Sequence, residues 1–179
     1  FSKRRQVLGI TLQDEKIIER WSMLIEGGQG QAEQVYQDTE RYIKESKAPG
    51  INIERTKVRP SWLKGLFGNE RSYMMVTNDA LGDYRMFIGA RDYGDNLDIQ
   101  WYLTCEPGFF KKRLSSILTS GASDKALCLS LDLFKQQDLN AYATVVHHCL
   151  LKAIDKLMLG AGQDSSKIDR KSKGFLGIS

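Results

Sequence analysis

The sequence predicts an α+β fold: an antiparallel sheet of about five strands, with an N-terminal helical pair and a long C-terminal helix packed on one face. Three observations carry this. Apolar residues recur at helical spacing near both ends of the chain. Between them, several runs alternate apolar and polar residues with period 2. The connections between those runs are short and rich in Asn, Asp and Gly, which joins successive strands antiparallel.

Thr11 can cap a first helix, on which Ile17, Ile18, Trp21, Leu24 and Ile25 share one face until Gly27-Gly28 stops it. A second helix carries Ala32, Val35, Tyr36, Thr39, Tyr42 and Ile43 on one side and ends before Pro49-Gly50. Strands follow over 51–58, closed by Pro60, and over 72–77. Asn78-Asp79 and Gly82-Asp83 supply turn residues. In the next strand Tyr84, Met86, Ile88 and Ala90 alternate with Arg85, Phe87, Gly89 and Arg91. A turn at 93–96 leads to the clearest strand, where Leu97, Ile99, Trp101, Leu103 and Cys105 alternate with polar neighbours. A short helix over 109–118 starts with Lys111, Lys112 and Arg113, against its dipole. Alternating leucines predict a fifth strand over 127–133. Asp138 can then cap the last helix, whose stripe runs from Leu139 through Val146 and Leu150 to Leu157. The chain thus divides into a basic N-terminal arm (1–10), one domain (11–160) and a flexible basic-apolar tail (161–179).

At 179 residues the chain can bury a core without staples. Cys105, Cys128 and Cys149 lie far apart, which suits reduced thiols and a cytoplasmic location. The longest uncharged stretch, 139–151, is too short to span a bilayer and contains two histidines. If an apolar segment preceded Phe1, Lys3, Arg4 and Arg5 would be its cytoplasmic flank, which would put the domain at the cytoplasmic face of a membrane.

Catalytic and metal chemistry find no support. His147, His148 and Cys149 are adjacent on a helix, so they point about 100° apart and cannot converge on one ion. The glycines of 27–30 follow a helical pattern where a phosphate loop needs a strand. There is no G-x-S-x-G, Walker or G-x-G-x-x-G motif. Asp79, Asp83, Asp92, Asp95 and Asp98 fall at turns, where aspartate is a preferred residue. No catalytic residue, metal ligand or cofactor is assigned.

Charge is more informative. The net +4 conceals four basic blocks, at 3–5, 55–71, 111–113 and 167–173, that together carry +13 and leave −9 for the rest. Two blocks contain near-copies of one pentapeptide, Lys64-Gly65-Leu66-Phe67-Gly68 and Lys173-Gly174-Phe175-Leu176-Gly177. Trp62, Leu63, Lys64, Leu66 and Phe67 in the first, with Lys171, Lys173, Phe175 and Leu176 in the second, are the expected docking residues. Full burial of four such apolar side chains contributes on the order of 6–10 kcal/mol. The partner they suit is another protein or a second copy of the chain, with an anionic membrane surface as a further candidate. A separate reading uses the open sheet face, where Arg85, Phe87, Arg91 and Tyr102 would bind single-stranded nucleic acid. A third is a small-ligand carrier or enzyme with a pocket between sheet and helices, offering Cys105 or His147.

Overall fold

The computed structural model describes residues 10–11, 16–59, 71–105, 131–174 and 176–179. The expected docking residues Trp62, Leu63, Lys64, Leu66, Phe67 and Phe175 lie outside them. So do the N-terminal arm up to residue 9, the short helix over 109–118 and residues 127–130.

Among the described residues seven strands form one sheet: β1 (Ile10–Thr11), β2 (Lys16–Ile25), β3 (Ile51–Arg59), β4 (Arg71–Asn78), β5 (Tyr84–Tyr93), β6 (Asn96–Cys105) and β7 (Lys173–Gly174), in the order β1-β3-β4-β5-β6-β2-β7. All neighbours are antiparallel except β1, which joins β3 in parallel over two residues. Helices α1 (Ala32–Ser46) and α2 (Leu133–Gly160) pack on one face.

The meander from 51 to 105 forms as its alternation predicts. Tyr84, Met86, Ile88 and Ala90 of β5 and Leu97, Ile99, Trp101, Leu103 and Cys105 of β6 all face the helices and are buried. Gly94, at φ +61°, opens the two-residue turn between the strands.

The N-terminal helical pair is corrected: its first member is strand β2, and only α1 is helical. β2 pairs along β6 from Lys16 opposite Cys105 to Ile25 opposite Leu97, with a bulge between Ile17 and Glu19. Period 2 then turns Glu19, Trp21, Met23 and Ile25 inward, while Ile17 and Leu24 stand exposed. The apolar residues at helical spacing include those two outward ones, and Glu19 among the inward set hides the strand pattern.

The expected strand over 127–133 meets a second correction where it is described. Asp132 caps α2, its Oδ1 accepting the Lys135 N–H at 2.9 Å, so the helix starts six residues before Asp138. Tyr142 from α2 donates to the Val76 carbonyl at 2.6 Å. Tyr36 from α1 reaches between β4 and β5, where its hydroxyl accepts the Ala90 N–H at 2.8 Å and lies 3.0 Å from the Ser72 carbonyl. It bridges the strands just beyond Met74 and Ile88, where their described register ends.

The outer sheet face carries a smaller cluster of Val58, Tyr73 and Phe87, with Met75 and Tyr102 against it. Tyr73 lies over Gly89, where an added Cβ would stand 2.7 Å from its ring.

Candidate functional site

The described residues after α2 run back across the domain as a strap, residues 168–174 and 176–178, where the sequence suggested a flexible tail. Its centre is Glu19, 1% exposed. β7 pairs with β2 at this point, Gly174 opposite Glu19 and Lys173 opposite Arg20. Ser172 and Ile178 close a ring: the Ser172 N–H donates to the Ile178 carbonyl, and the Ile178 N–H to the Ser172 hydroxyl, each at 2.8 Å. The Glu19 carboxylate sits inside, accepting the Ser172 hydroxyl, the Leu176 N–H at 2.7 Å and the Gly177 N–H at 3.3 Å. A buried carboxylate needs such donors to replace its lost water. Gly174 is required here, because a Cβ would stand 2.5 Å from Glu19 Oε2 and 2.6 Å from the Ile18 carbonyl oxygen.

Two tryptophans and a histidine anchor the strap upstream. Trp21 Nε1–H donates to the Asp169 carbonyl at 2.7 Å. Trp101 Nε1–H donates to His147 Nδ1 at 2.9 Å, which leaves Nε2 of the neutral ring to donate to the Arg170 carbonyl at 2.7 Å. Both indoles meet the imidazole edge to face, at 5.4 and 5.5 Å between centroids. Burial pushes the His147 pKa down, against the bond to Arg170, which favours the proton. Arg170 also pairs with Asp155 of α2 at 2.8 Å.

Between this strap and the outer sheet face lies a cleft of about 270 Å³. β2 contributes Arg20 and Ser22, β6 contributes Gln100 and Tyr102, and the strap contributes Asp169, Lys171 and Lys173. Tyr102 donates to Gln100 Oε1 at 2.8 Å, and Gln100 Nε2–H donates to the Tyr73 hydroxyl at 3.1 Å. Arg20, Lys171 and Lys173 form no ion pair among the described residues. Asp169 is the single carboxylate among the described lining residues, and it accepts the Lys171 N–H at 3.1 Å. Burial raises the Tyr102 phenol pKa despite the opposing pull of Arg20, Arg71 and Arg91.

The strap therefore brings Lys171 and Lys173 together with Tyr102, and turns Leu176 toward the protein, half-buried. The sheet-face set is dispersed. Phe87 is 0% exposed beneath its outer-face neighbours, Arg91 is paired with Asp98 at 3.0 Å, and Arg85 is half-buried. Cys105 is buried, and His147 has both ring nitrogens engaged. The glycines of 27–30 are pinned to the 92–96 hairpin, the Gly27 and Gly30 N–H groups donating to Asn96 and Asp92 side chains. Among the described residues no group of three or more His, Cys, Asp or Glu could hold a metal ion, and no helix is long and apolar enough to cross a membrane.

Two further clefts are less charged. One of about 480 Å³ lies between the start of α1 and the end of α2, where burial would raise the Asp38 pKa but hydrogen bonds from Lys156, Gln34 and Arg41 hold it below the ordinary range. The other, about 320 Å³, is a largely apolar groove beside Pro49, Ile51, Ala141 and Val145.

Glu19, Arg20, Ser22 and Asp169 were not singled out from sequence, whereas Gln100 falls on the outer sheet face beside Tyr102, as its alternation predicts. One signal existed: alternation through 19–25 places a glutamate on a face with Trp21, Met23 and Ile25. No protein-family model matches the chain, and no curated protein or solved structure is significantly similar to it.

Proposed function

We propose that this protein is a non-enzymatic binding module that docks an acidic partner protein in the cationic cleft between strap and sheet. The observation that supports it most is the gathering of Arg20, Lys171 and Lys173 around one cleft where Asp169 is the single carboxylate among the described residues. Cations that lack ion partners steer and hold anionic ligands. The single-stranded nucleic-acid reading has less support, because Phe87, one of its two aromatic residues, is covered and Arg91 is paired with Asp98, which leaves Tyr102 as its accessible aromatic ring.

The test is fluorescence anisotropy with a labelled glutamate-rich peptide, against wild type and the double variant Lys171→Glu/Lys173→Glu. Binding that weakens with salt and is lost in the variant is expected. No binding at low salt, or equal binding by both proteins, would overturn the proposal. Stronger binding of a single-stranded oligonucleotide or of anionic vesicles would redirect it.

A further inference from the structure

The register of the sheet edge contains an unfavourable pairing. Lys173 of β7 lies directly opposite Arg20 of β2, and directly opposed like charges on an antiparallel pair destabilise it. No ion pair among the described residues offsets the repulsion. Lys171 is two residues from Lys173, and extended backbone turns such residues to the same side; both line the cleft. The residues beside them are held, Asp169 by Trp21, Arg170 by His147 and Ser172 by Glu19, which fixes where the two lysine side chains leave the strap.

We infer that the cleft holds a phosphomonoester carried on a side chain of the partner. This rests on the docking function proposed above and specifies its ligand. Among the described lining residues, three cations and one carboxylate leave two positive charges in excess, which matches the near-dianion of a phosphomonoester at neutral pH. A guanidinium fork from Arg20, two ammonium groups and the Ser22 hydroxyl supply donors for three oxygens, where a carboxylate has only two in one plane. A dianion is attracted by the three cations and repelled by Asp169 each about twice as strongly as a monoanion, so the net attraction of the lining for it is about doubled. A volume of about 270 Å³ admits a single group with its stem, and a peptide backbone would pass outside.

The experiment uses the full chain and three labelled peptides that differ at one position: phosphoserine, glutamate and serine. Inorganic phosphate serves as competitor and, in a thermal-shift arm, as stabiliser against chloride at matched ionic strength. The phosphopeptide is expected to bind at least about tenfold more tightly than its glutamate counterpart. That preference is expected to vanish in Arg20→Gln and in Lys173→Gln, both at exposed positions. Phosphate should raise Tm in the wild type and not in the variants. Equal binding of phosphoserine and glutamate peptides would overturn the phosphate inference and leave acidic docking standing. Failure of both peptides to bind would overturn both. A phosphate preference unchanged in both variants would remove the cleft as its site, and tighter binding of a single-stranded oligonucleotide would replace the phosphopeptide with nucleic acid.

Discussion

Replacing Glu19 by glutamine changes almost no volume and isolates the role of the carboxylate. The amide oxygen can keep the Oε1 position, facing the Ser172 hydroxyl and the Gly177 N–H. Its NH₂ then faces the Leu176 N–H, donor to donor. One backbone donor left unpaired costs about 1–3 kcal/mol, and two bonds fall from charge-assisted to neutral strength at about 1 kcal/mol each. Removing a buried charge returns part of this through desolvation. The expected net destabilisation is about 2–3 kcal/mol. Urea unfolding followed by tryptophan fluorescence reads it, since Trp21 and Trp101 both adjoin the strap. Hydrogen exchange should show Leu176, Gly177 and Ile178 amides losing protection before the meander does. An unchanged urea midpoint, with those amides still protected, would refute the account of Glu19 as the element that holds the strap.

Three further outcomes follow from the geometry. The fold keeps His147 neutral with a lowered pKa, while the unfolded imidazole titrates near about 6.5. The unfolded state therefore binds the extra proton, so stability is complete above about pH 6.5 and falls as pH drops below it; urea midpoints between pH 8 and 5 should show this, and His147→Leu should flatten that slope. Tyr36→Phe removes the bridge between β4 and β5, leaves the Ala90 N–H unpaired and should cost about 1–3 kcal/mol by the same measurement. Gly89→Val drives Tyr73 off Phe87 and should cost about 1–3 kcal/mol through overpacking, with a change in near-UV dichroism from the displaced ring.

The meander was legible because its two faces differ in chemistry. Tyr84, Met86, Ile88 and Ala90 contrast with Arg85, Gly89 and Arg91, and Phe87, buried in the outer-face cluster, is the one outward exception that the alternation tolerates. β2 was not, because both its faces carry large apolar residues and its inward face carries Glu19. Ile17 and Leu24 then complete a helical stripe that tertiary pairing overrides. Asp132 and Asp138 are both acceptable caps in sequence, and the alternating leucines favoured the later one. The strap was the least legible element. Its second pentapeptide reads as an outward docking element, but its ring depends on a glutamate more than 150 positions earlier. Lys171 and Lys173 could be named as docking residues from their charge. Their neighbour Arg20 could not, since a helical reading of 17–25 conceals which residues share its sheet edge.

The ring around Glu19 also imposes a sequence of events on folding. Its donors lie 153, 157 and 158 positions away, whereas β5 and β6 meet across a two-residue turn. Local hairpins close first, and such distant partners are found last. During synthesis the Glu19 carboxylate must stay hydrated until residue 178 has left the ribosome, so the outer edge of β2 cannot be sealed before then. The expected order is therefore meander first and this sheet edge last, which pulsed hydrogen exchange during refolding would read as β5 and β6 amides protected before those of Leu176 and Gly177. The contact that secures the finished edge is thus the one the chain can make last.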